Sequence, residues 1–264
     1  MTEVRFLGVA AFEITNTRGM KVIMDPWLDN NPFAAIKSDD LDKVDLILVT
    51  HAAYDHLGDA AKIARKFKAP IICGADVRAH LIKEGLAPEQ LIAIIWGLTV
   101  EYAGIKVRSV ECRHSSNMIS PDGTFLSGPA MGFVLQPDPG VRIYHCGDTA
   151  LFSDLKLVVQ LYRPNIGLLN VSDPDVGSAF PGSQIYLRTG EMTAYEAALA
   201  AQWLGLEYAI PIHFGTLNKD VQAFVDLLQN MACDGKPCVK PVVLKPGEIF
   251  KCEGREEDNT GILA

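Results

Sequence analysis

Along the chain, continuous apolar runs are repeatedly followed by segments whose apolar positions recur at helical spacing. Each such succession predicts a strand followed by a helix. Residues 44–50, VDLILVT, form a nearly continuous apolar run that indicates a buried strand. Residues 58–70, GDAAKIARKFKAP, carry apolar positions at helical spacing and close with Pro70. The second half repeats this succession with the strand segments NIGLLNV and EYAIPIHFG and the helical segments LFSDLKLVVQLY, MTAYEAALAAQWLG and NKDVQAFVDLLQNM. Two such rounds predict two similar halves that face each other with helices outside.

Shorter alternating segments predict strand pairs between these units. VRFLGVAAFEIT and MKVIMDPW read as two strands joined by the turn NTRG, and VEYAGIKVRSVECRH reads as a pair around Ala103 and Gly104. GFVLQPDPGVRIYHCGD reads as a hairpin with PDPG at its turn. No linker rich in serine, glycine or proline divides the chain. We therefore expect one domain over residues 1–264, with a polar tail from about residue 253.

Charge and composition exclude several classes of protein. The formal net charge of −8 argues against a nucleic-acid surface. The first sixteen residues carry charges that a signal peptide lacks, and the apolar runs are too short to span a bilayer. We predict a cytoplasmic protein without nucleic-acid or membrane partners. The sequence is also compatible with a homo-oligomer. The six cysteines are expected to be reduced, with Cys233 and Cys238 able to pair in an oxidising setting.

Six ionisable residues each follow a predicted strand, and together they are the candidate site. Strand ends in layered α/β folds are where sites collect, because the sheet holds the loops in place. Three of the six lie within VTHAAYDHLGDA, where burial of so many polar groups requires a partner such as a divalent cation. The residues are His51, Asp55, His56, His114, Asp148 and His213.

Simpler roles compete with this interpretation for single residues. Asp55 and Asp148 each precede a predicted helix and would serve as N-caps. His145 differs in strand phase from a strand-end ligand, which favours a packing or supporting role, and His80 reads as part of a solvated helix face. Asp25, in MDPW, fits equally a turn before proline and a carboxylate that orients a ligand histidine.

Together these segments resemble the metallo-β-lactamase superfamily, whose signature is HxHxDH followed by a histidine, an aspartate and a histidine from later strand ends. LGVAAFEI, DPWL, VTHAAYDHLGDA, YHCGDTALFSDLKL, EAALAAQWL, IPIHFGT and LKPGEIF are similar to the branch of small metal-dependent hydrolases that includes L-ascorbate-6-phosphate lactonase-like proteins. The likeness runs from residue 4 to about residue 250. It implies an α/β fold, a four-layer αβ/βα sandwich of two mixed β-sheets with helices outside.

The resemblance also implies a ligand arrangement and a reaction. In a two-metal version, one site would use His51, position 53 and His114, the other Asp55, His56 and His213, with Asp148 between them. The reaction would be hydrolysis by a metal-bound hydroxide. Asp148 or Asp55 would orient the nucleophile and take its proton, and His114 or His51 would stabilise the oxyanion.

Three positions depart from the family pattern. Ala53 stands where the signature has a histidine, and Val9 stands where this branch often has another. A long segment over residues 172–190 replaces a usually short loop, and Glu191 after it is either an extra carboxylate or an exposed helix-capping residue. We expect one firmly bound ion held by Asp55, His56, Asp148 and His213, with a second weak or absent. A reordered single site that uses His51 and His114 stays open, as do zinc, manganese and iron.

The substrate is expected to be a small molecule, a lactone or ester ahead of an amide or phosphodiester. Candidate substrate contacts are the basic side chains Arg113 and Arg188 and an apolar wall of Trp27, Phe180 and Tyr186. One alternative is a non-catalytic descendant that binds a ligand or partner through a degenerate site, which Ala53 and Val9 favour. Another is redox chemistry at two irons, which the missing ligand disfavours.

Overall fold

Two seven-stranded sheets form the centre of the computed structural model. The structure describes residues 1–172, 184, 188–231 and 238–255, and the backbone alone of residues 175–178 and 186–187. The strands are β1 (Thr2–Gly8), β2 (Ala11–Thr15), β3 (Lys21–Met24), β4 (Leu46–Leu48), β5 (Ile71–Cys73), β6 (Leu91–Ala93), β7 (Thr99–Tyr102), β8 (Ile105–Ile119), β9 (Phe125–Gln136), β10 (Ile143–His145), β11 (Ile166–Asn170), β12 (Asp175–Ser178), β13 (Tyr186–Arg188), β14 (Tyr208–Ile212), β15 (Lys240–Pro241) and β16 (Ile249–Cys252). The helices are α1 (Tyr54–Leu57), α2 (Ala60–Phe67), α3 (Ala75–Lys83), α4 (Leu155–Tyr162), α5 (Ala194–Trp203) and α6 (Lys219–Asn230).

Both sheets mix parallel and antiparallel pairs. The first has the strand order β16-β1-β2-β3-β4-β5-β6, and the second has the order β15-β14-β11-β10-β9-β8-β7. Strands β3 to β6 run parallel, as do β10, β11, β14 and β15, and the hairpins at the other side of each sheet are antiparallel. The predicted two halves are confirmed. Helices lie in the connections between the parallel strands from β4 to β6 and from β10 to β15.

Successive side chains along the strands of the first sheet point to opposite faces. One face of the sheet therefore packs into one hydrophobic core, and the other face packs into a second core. Phe6 and Met24 belong to the core shared with the second sheet, where the rings of Phe6 and Phe214 are 5.7 Å apart. Their neighbours Leu7 and Ile23 pack with residues of α2 and α3 instead. The sheets therefore lie face to face with helices outside, which confirms the predicted αβ/βα sandwich.

The structure corrects two details of the predicted elements. VRFLGVAAFEIT is not one strand but the hairpin of β1 and β2, because Gly8 (φ 125°) and Val9 (φ 56°) turn the chain inside an unbroken apolar run. The segment before Trp96 contains the edge strand β6, which the apolar pattern left unassigned. No helix of the described residues combines the length and the apolar character that a bilayer crossing needs.

The cysteines divide into two kinds. Cys73, Cys112, Cys146 and Cys252 are free and buried, as expected of reduced thiols. Cys238 is disulfide-bonded, so the expectation of a reduced thiol is wrong there. Cys233, most of the segment 172–190 and residues 256–264 of the predicted tail lie outside the described residues.

Candidate metal centre

The six predicted donor residues lie at one edge shared by the two sheets. His51 follows β4, and Asp55 and His56 lie in the short helix α1 just after it. His114 lies where the pairing of β8 with β9 is interrupted between Glu111 and Ser115. Asp148 follows β10, and His213 follows β14. Each half of the fold thus contributes three donors.

Asp55, His56, Asp148 and His213 form a first ligand group. The Nε2 atom of His213 lies 3.3 Å from Oδ2 of Asp55 and 3.2 Å from Oδ2 of Asp148. The Nε2 atom of His56 lies 3.1 Å from the same oxygen of Asp148. One donor atom from each of the four residues lies within 4.8 Å of the others. This spacing is compatible with all four donors surrounding one ion.

His51, His114 and Asp148 form a second ligand group that shares Asp148 with the first. Their donor atoms also lie within 4.8 Å of one another. The Nε2 atom of His51 lies 3.8 Å from Oδ2 of Asp148, and the rings of His51 and His114 are 5.2 Å apart. Ala53 brings no donor, so this group has three members where the family signature has four.

Two buried atoms of the centre have no hydrogen-bond partner among the described residues. They are Nε2 of His51 and Oδ1 of Asp148. Buried polar atoms are nearly always paired, and leaving one unpaired costs about 1–3 kcal/mol. Imidazole nitrogens and carboxylate oxygens are also the donors that zinc and similar cations prefer. The residues present therefore fit a divalent cation.

Burial and mutual charge shift every pKa in the first ligand group. Burial would raise the pKa of Asp148, but the imidazoles of His213 and His56 outweigh it and hold that pKa well below its ordinary value. Burial would lower the pKa of His213, but Asp148 and Asp55 raise it to about 10. Burial likewise opposes the effect of Asp148 and Asp25 on His56, whose pKa is nevertheless raised well above 6.5. Without an ion, protons on two histidines balance the carboxylates.

The two histidines of the second ligand group have lowered rather than raised pKa values. Burial lowers the pKa of His51 to about 3 and also lowers that of His114. Both imidazoles are therefore neutral near pH 7 and keep a lone pair for a cation or a substrate proton. The centre thus combines charged and neutral histidines within a few ångströms.

Asp25 supports the centre from behind. Its Oδ2 atom lies 2.7 Å from Nδ1 of His56, which leaves Nε2 of that ring facing Asp148. The backbone N–H and the hydroxyl of Thr50 each donate to the Asp25 carboxylate at 2.8 Å. His145 is fully buried, with Nε2 3.0 Å from the carbonyl of Ala10 and 3.7 Å from Asp25. These contacts agree with the supporting roles expected for Asp25 and His145.

Two residues at the rim of the centre adopt left-handed backbone conformations. Val9 has φ 56° and His213 has φ 64°. This region is strained above all for a β-branched residue such as Val9. The N–H of His213 donates to the carbonyl of Val9 at 2.8 Å. Such strain persists only where surrounding contacts hold it, and it is concentrated at functional sites. The turn at Val9 thus fixes the strand end that presents His213.

The simpler roles proposed for single residues are mostly wrong. Helix α4 has Asp154 at its N-cap position and α1 has Ala53, so neither Asp148 nor Asp55 is a cap. His80 is buried rather than solvated and contacts Glu84 at 3.2 Å. The helical spacing alone could not show that α3 turns this residue inward.

The other predicted contact residues are spread around the centre. Arg113 is exposed, donates to Glu111 at 2.9 Å and lies over the ring of Phe152. Arg188 is exposed as well, and the side chains of Phe180 and Tyr186 lie outside the described residues. Trp27 packs edge-on against Tyr54 with ring centres 5.3 Å apart.

Glu191 is not the exposed capping residue that one interpretation expected. It is 4% exposed and accepts a hydrogen bond from Thr189, while Thr193 caps α5. Neither ligand group of the described residues includes it.

Two further polar residues near the centre have no place in the family signature. Thr50 contacts Asp25, His51 and His56 through one hydroxyl. Ser116 accepts a hydrogen bond from the N–H of Ala52 at 3.0 Å. The pair of serines directly after His114 in ECRHSSN was the only sequence signal for the second contact.

A family model described as a beta-lactamase superfamily domain matches residues 20–214. A UPF0173 metal-dependent hydrolase of Pyrococcus abyssi is 37% identical over 251 residues, which covers 94% of this chain and 98% of the relative. One from Thermococcus onnurineus is 36% identical over 255 residues, which covers 95% of this chain and all of the relative. These matches extend over nearly the whole of both chains.

Solved structures share the fold. Igni18, described as a novel metallo hydrolase from Ignicoccus hospitalis, is 25% identical with a TM-score of 0.72 and covers 96% of this chain and 99% of its own. An isothiocyanate hydrolase from Delia radicum gut bacteria is 19% identical with a TM-score of 0.67, covering 96% of this chain and all of its own, and shows likeness of fold alone. The chain belongs to the beta-lactamase superfamily and, within it, to the UPF0173 metal-dependent hydrolases.

Proposed function

We propose that the chain hydrolyses a small molecule with the help of one divalent cation held by the first ligand group. The observation that carries this proposal is Asp148, a buried carboxylate whose Oδ2 is within 3.2 Å of two imidazole nitrogens while its Oδ1 has no partner among the described residues. A cation there would polarise a carbonyl or phosphoryl oxygen and bring the pKa of water to about 7.

Asp55 and Asp148 are the proposed proton acceptors. In the metal-free chain both carboxylates have a lowered pKa despite burial, because His213 contacts each of them. A bound cation would take the place of that positive charge and keep both carboxylates ionised near neutral pH. A carboxylate within hydrogen-bond reach of the attacking water would orient it and accept its proton. Asp55 is the less firmly enclosed of the two, since its side chain is 15% exposed while that of Asp148 is 3% exposed.

His114 and His51 are proposed to act on the substrate oxygen. Their lowered pKa values keep both rings neutral near pH 7, so each ring carries one N–H that can donate to a developing negative charge. His114 is only partly buried, which leaves it the better placed of the two to touch a substrate.

A lactone or ester remains the preferred substrate class, ahead of an amide or phosphodiester. A cavity of about 360 Å³ lies beside the turn that carries Asp55 and His56, and its wall combines the apolar side chains of Trp27, Tyr54 and Leu57 with the polar side chains of Asn30, Asp59 and His80. It could receive the apolar part of such a substrate. Arg113 is paired with Glu111, which weakens the case for it as the anchor of an anionic group.

Elemental analysis and turnover together test the proposal. The purified chain, stripped with a chelator and reloaded with zinc, manganese or ferrous iron, should retain about one ion and hydrolyse γ-thiobutyrolactone or p-nitrophenyl acetate. His56→Ala should lose both the ion and the turnover. Asp138→Asn changes a buried residue that accepts a hydrogen bond from Thr2 at the far end of β1, and it should keep both. Full activity in His56→Ala would overturn the proposal.

A binding protein without catalysis is the second candidate, and Ala53 is the observation that favours it. It would bind no more than traces of metal and would hydrolyse none of the esters or lactones after reloading.

A further inference from the structure

A chain of hydrogen bonds reaches the second ligand group from the N-terminus of helix α3. The N–H of Ala52 donates to Oγ of Ser116 at 3.0 Å, and the hydroxyl of Ser116 donates to Oδ2 of Asp76. Ser116 is 1% exposed and Asp76 is 5% exposed. Three separate segments therefore meet through one buried hydroxyl: the loop after His51, the strand after His114, and α3.

The direction of this chain is fixed by its members. The N–H of Ala52 can only donate, so it takes a lone pair of the Ser116 oxygen and leaves the hydroxyl hydrogen to point toward the Asp76 carboxylate. A hydroxyl that donates to a carboxylate becomes a stronger acceptor, because successive hydrogen bonds polarise one another. Asp76 thus strengthens the hydrogen bond between Ala52 and Ser116, although it does not bond to Ala52 itself.

The surroundings hold Asp76 in this orientation. A Cβ atom on Gly128 would lie 2.5 Å from Cγ of Asp76, and one on Gly74 would lie 2.5 Å from its Oδ1. Neither glycine has a left-handed φ, so their role is to leave space rather than to permit a turn. Asp76 is the second residue of α3, where the helix dipole favours a negative charge. Its Oδ1 has no partner among the described residues, which makes Ser116 its main hydrogen-bond donor.

The contact matters because ordinary strand pairing does not position His114. The register of β8 against β9 is interrupted between Glu111 and Ser115 and resumes with Ser115 opposite Pro129 and Ser116 opposite Gly128. Ser116 is the first buried side chain after the interruption, and its bond to Ala52 ties this strand to the residue following His51. On the other side of His51, the carbonyl of Thr50 accepts a hydrogen bond from the N–H of Met131 at 3.1 Å.

We propose that Ser116 and Asp76 are positioning residues that set the distance between His51 and His114. This inference rests on the proposed function, because it assigns the pair a role in the second ligand group. Asp76 acts through Ser116, and Ser116 acts through the peptide between His51 and Ala52. Neither is a ligand or a catalytic residue.

The test is a double-mutant cycle on the metal-reloaded full chain with Ser116→Ala, Asp76→Asn and the double variant. Each single change should lower kcat by about 10–100-fold, the usual loss when a supporting contact near a metal site is removed, because His51 and His114 act on the substrate oxygen. Zinc affinity, measured by chelator competition, should stay the same, since the ion is held by the first ligand group. KM should stay within about twofold. Because Asp76 acts through Ser116, Asp76→Asn should have little further effect in a chain that already carries Ser116→Ala.

Two measurements separate positioning from a general loss of structure. Asp138→Asn is the matched control, since Asp138 is also buried, accepts a hydrogen bond from Thr2 at 2.7 Å and lies at the opposite end of β1 from the centre. It should lower stability toward urea without changing zinc affinity or kcat. The kcat should recover in part in Ser116→Thr, and the visible spectrum of cobalt(II) in the first ligand group should be unaltered in Ser116→Ala, Asp76→Asn and Asp138→Asn.

The outcomes distinguish this inference from the proposed function. If wild-type chain binds zinc and turns over substrate but both variants keep its kcat, only the positioning role is overturned. Strictly additive effects in the cycle would overturn the route from Asp76 through Ser116. A wild-type chain that binds no zinc, cobalt, manganese or iron would overturn both proposals together.

Discussion

The imidazole of His56 is held between two carboxylates, with Nδ1 2.7 Å from Asp25 and Nε2 3.1 Å from Asp148. One carboxylate belongs to the centre and the other supports the ring from behind. This arrangement fixes the ring in the orientation that a metal ligand needs.

Asp25→Asn should reduce metal affinity by about 10–100-fold without unfolding the chain. The amide keeps the shape of the side chain but no longer compensates the charge on His56. Asp25 has φ 44°, a conformation that asparagine tolerates well, so the change adds no backbone strain. Chelator competition measures the effect, with Asp138→Asn as the buried-aspartate control. Unchanged affinity would show that Asp25 does not orient His56.

Ala53→His should complete the second ligand group and raise the bound metal from about one ion per chain to about two. Ala53 has φ −59° and ψ 146°, an extended conformation that histidine adopts without strain. Tyr54→His adds the same side chain one position later, where the residue is 74% exposed, and should leave the metal content unchanged. Elemental analysis after reloading decides the matter, and one ion in both variants would contradict the assigned role of position 53.

Metal binding should release protons, about two per ion near pH 8. In the metal-free chain the raised pKa values of His56 and His213 keep both rings protonated at that pH, and a cation displaces those protons. Titration calorimetry in buffers with different ionisation enthalpies counts the protons. Release of none would mean that these two rings are not ligands.

The same shift predicts how the stability of the metal-free chain depends on pH. The pKa of His213 is raised from 6.5 to about 10 in the folded state, so its contribution is complete below pH 6.5 and is lost as the pH rises through about 10. Urea unfolding of the chelator-treated chain should therefore show falling stability over this interval. His213→Gln should make the fall shallower, and an identical pH profile in that variant would refute the assignment.

Gly58→Ala should destabilise the chain more than Gly19→Ala does. Both glycines have positive φ values, 40° and 75°, so both changes carry the penalty of roughly 1–2 kcal/mol for a Cβ atom in a left-handed conformation. A Cβ atom at Gly58 would in addition lie 2.5 Å from Cα of Trp27, whereas nothing lies within 4 Å at Gly19. The difference in unfolding free energy should be about 1–3 kcal/mol. Because Gly58 ends α1, Gly58→Ala should also weaken metal binding.

Much of the fold could be predicted from the sequence because its signals are local. Apolar runs such as VDLILVT mark buried strands, and helical spacing marks α2 and α5. The hairpin of β1 and β2 was missed because a turn made by Val9 in a strained conformation carries no polar or proline signal. Such a turn is set by contacts such as the bond from His213, which are invisible in a linear pattern.

The candidate site followed a similar division. Strand-end positions and the family resemblance were enough to select the six residues that the structure brings together. The pattern could not show that His80 is buried, or that Ser116 joins the segments of His51 and His114, because both facts depend on how α3 packs against the second sheet's hairpin.

The donors are divided equally between the two halves, with His51, Asp55 and His56 on the first and His114, Asp148 and His213 on the second. A cation bound there would link the two halves across the interface between the sheets. Its loss would therefore weaken the packing of the sheets as well as abolish catalysis. The half-life of the chain in a protease-rich environment would then follow the supply of the ion, and scarcity of metal would remove the protein itself.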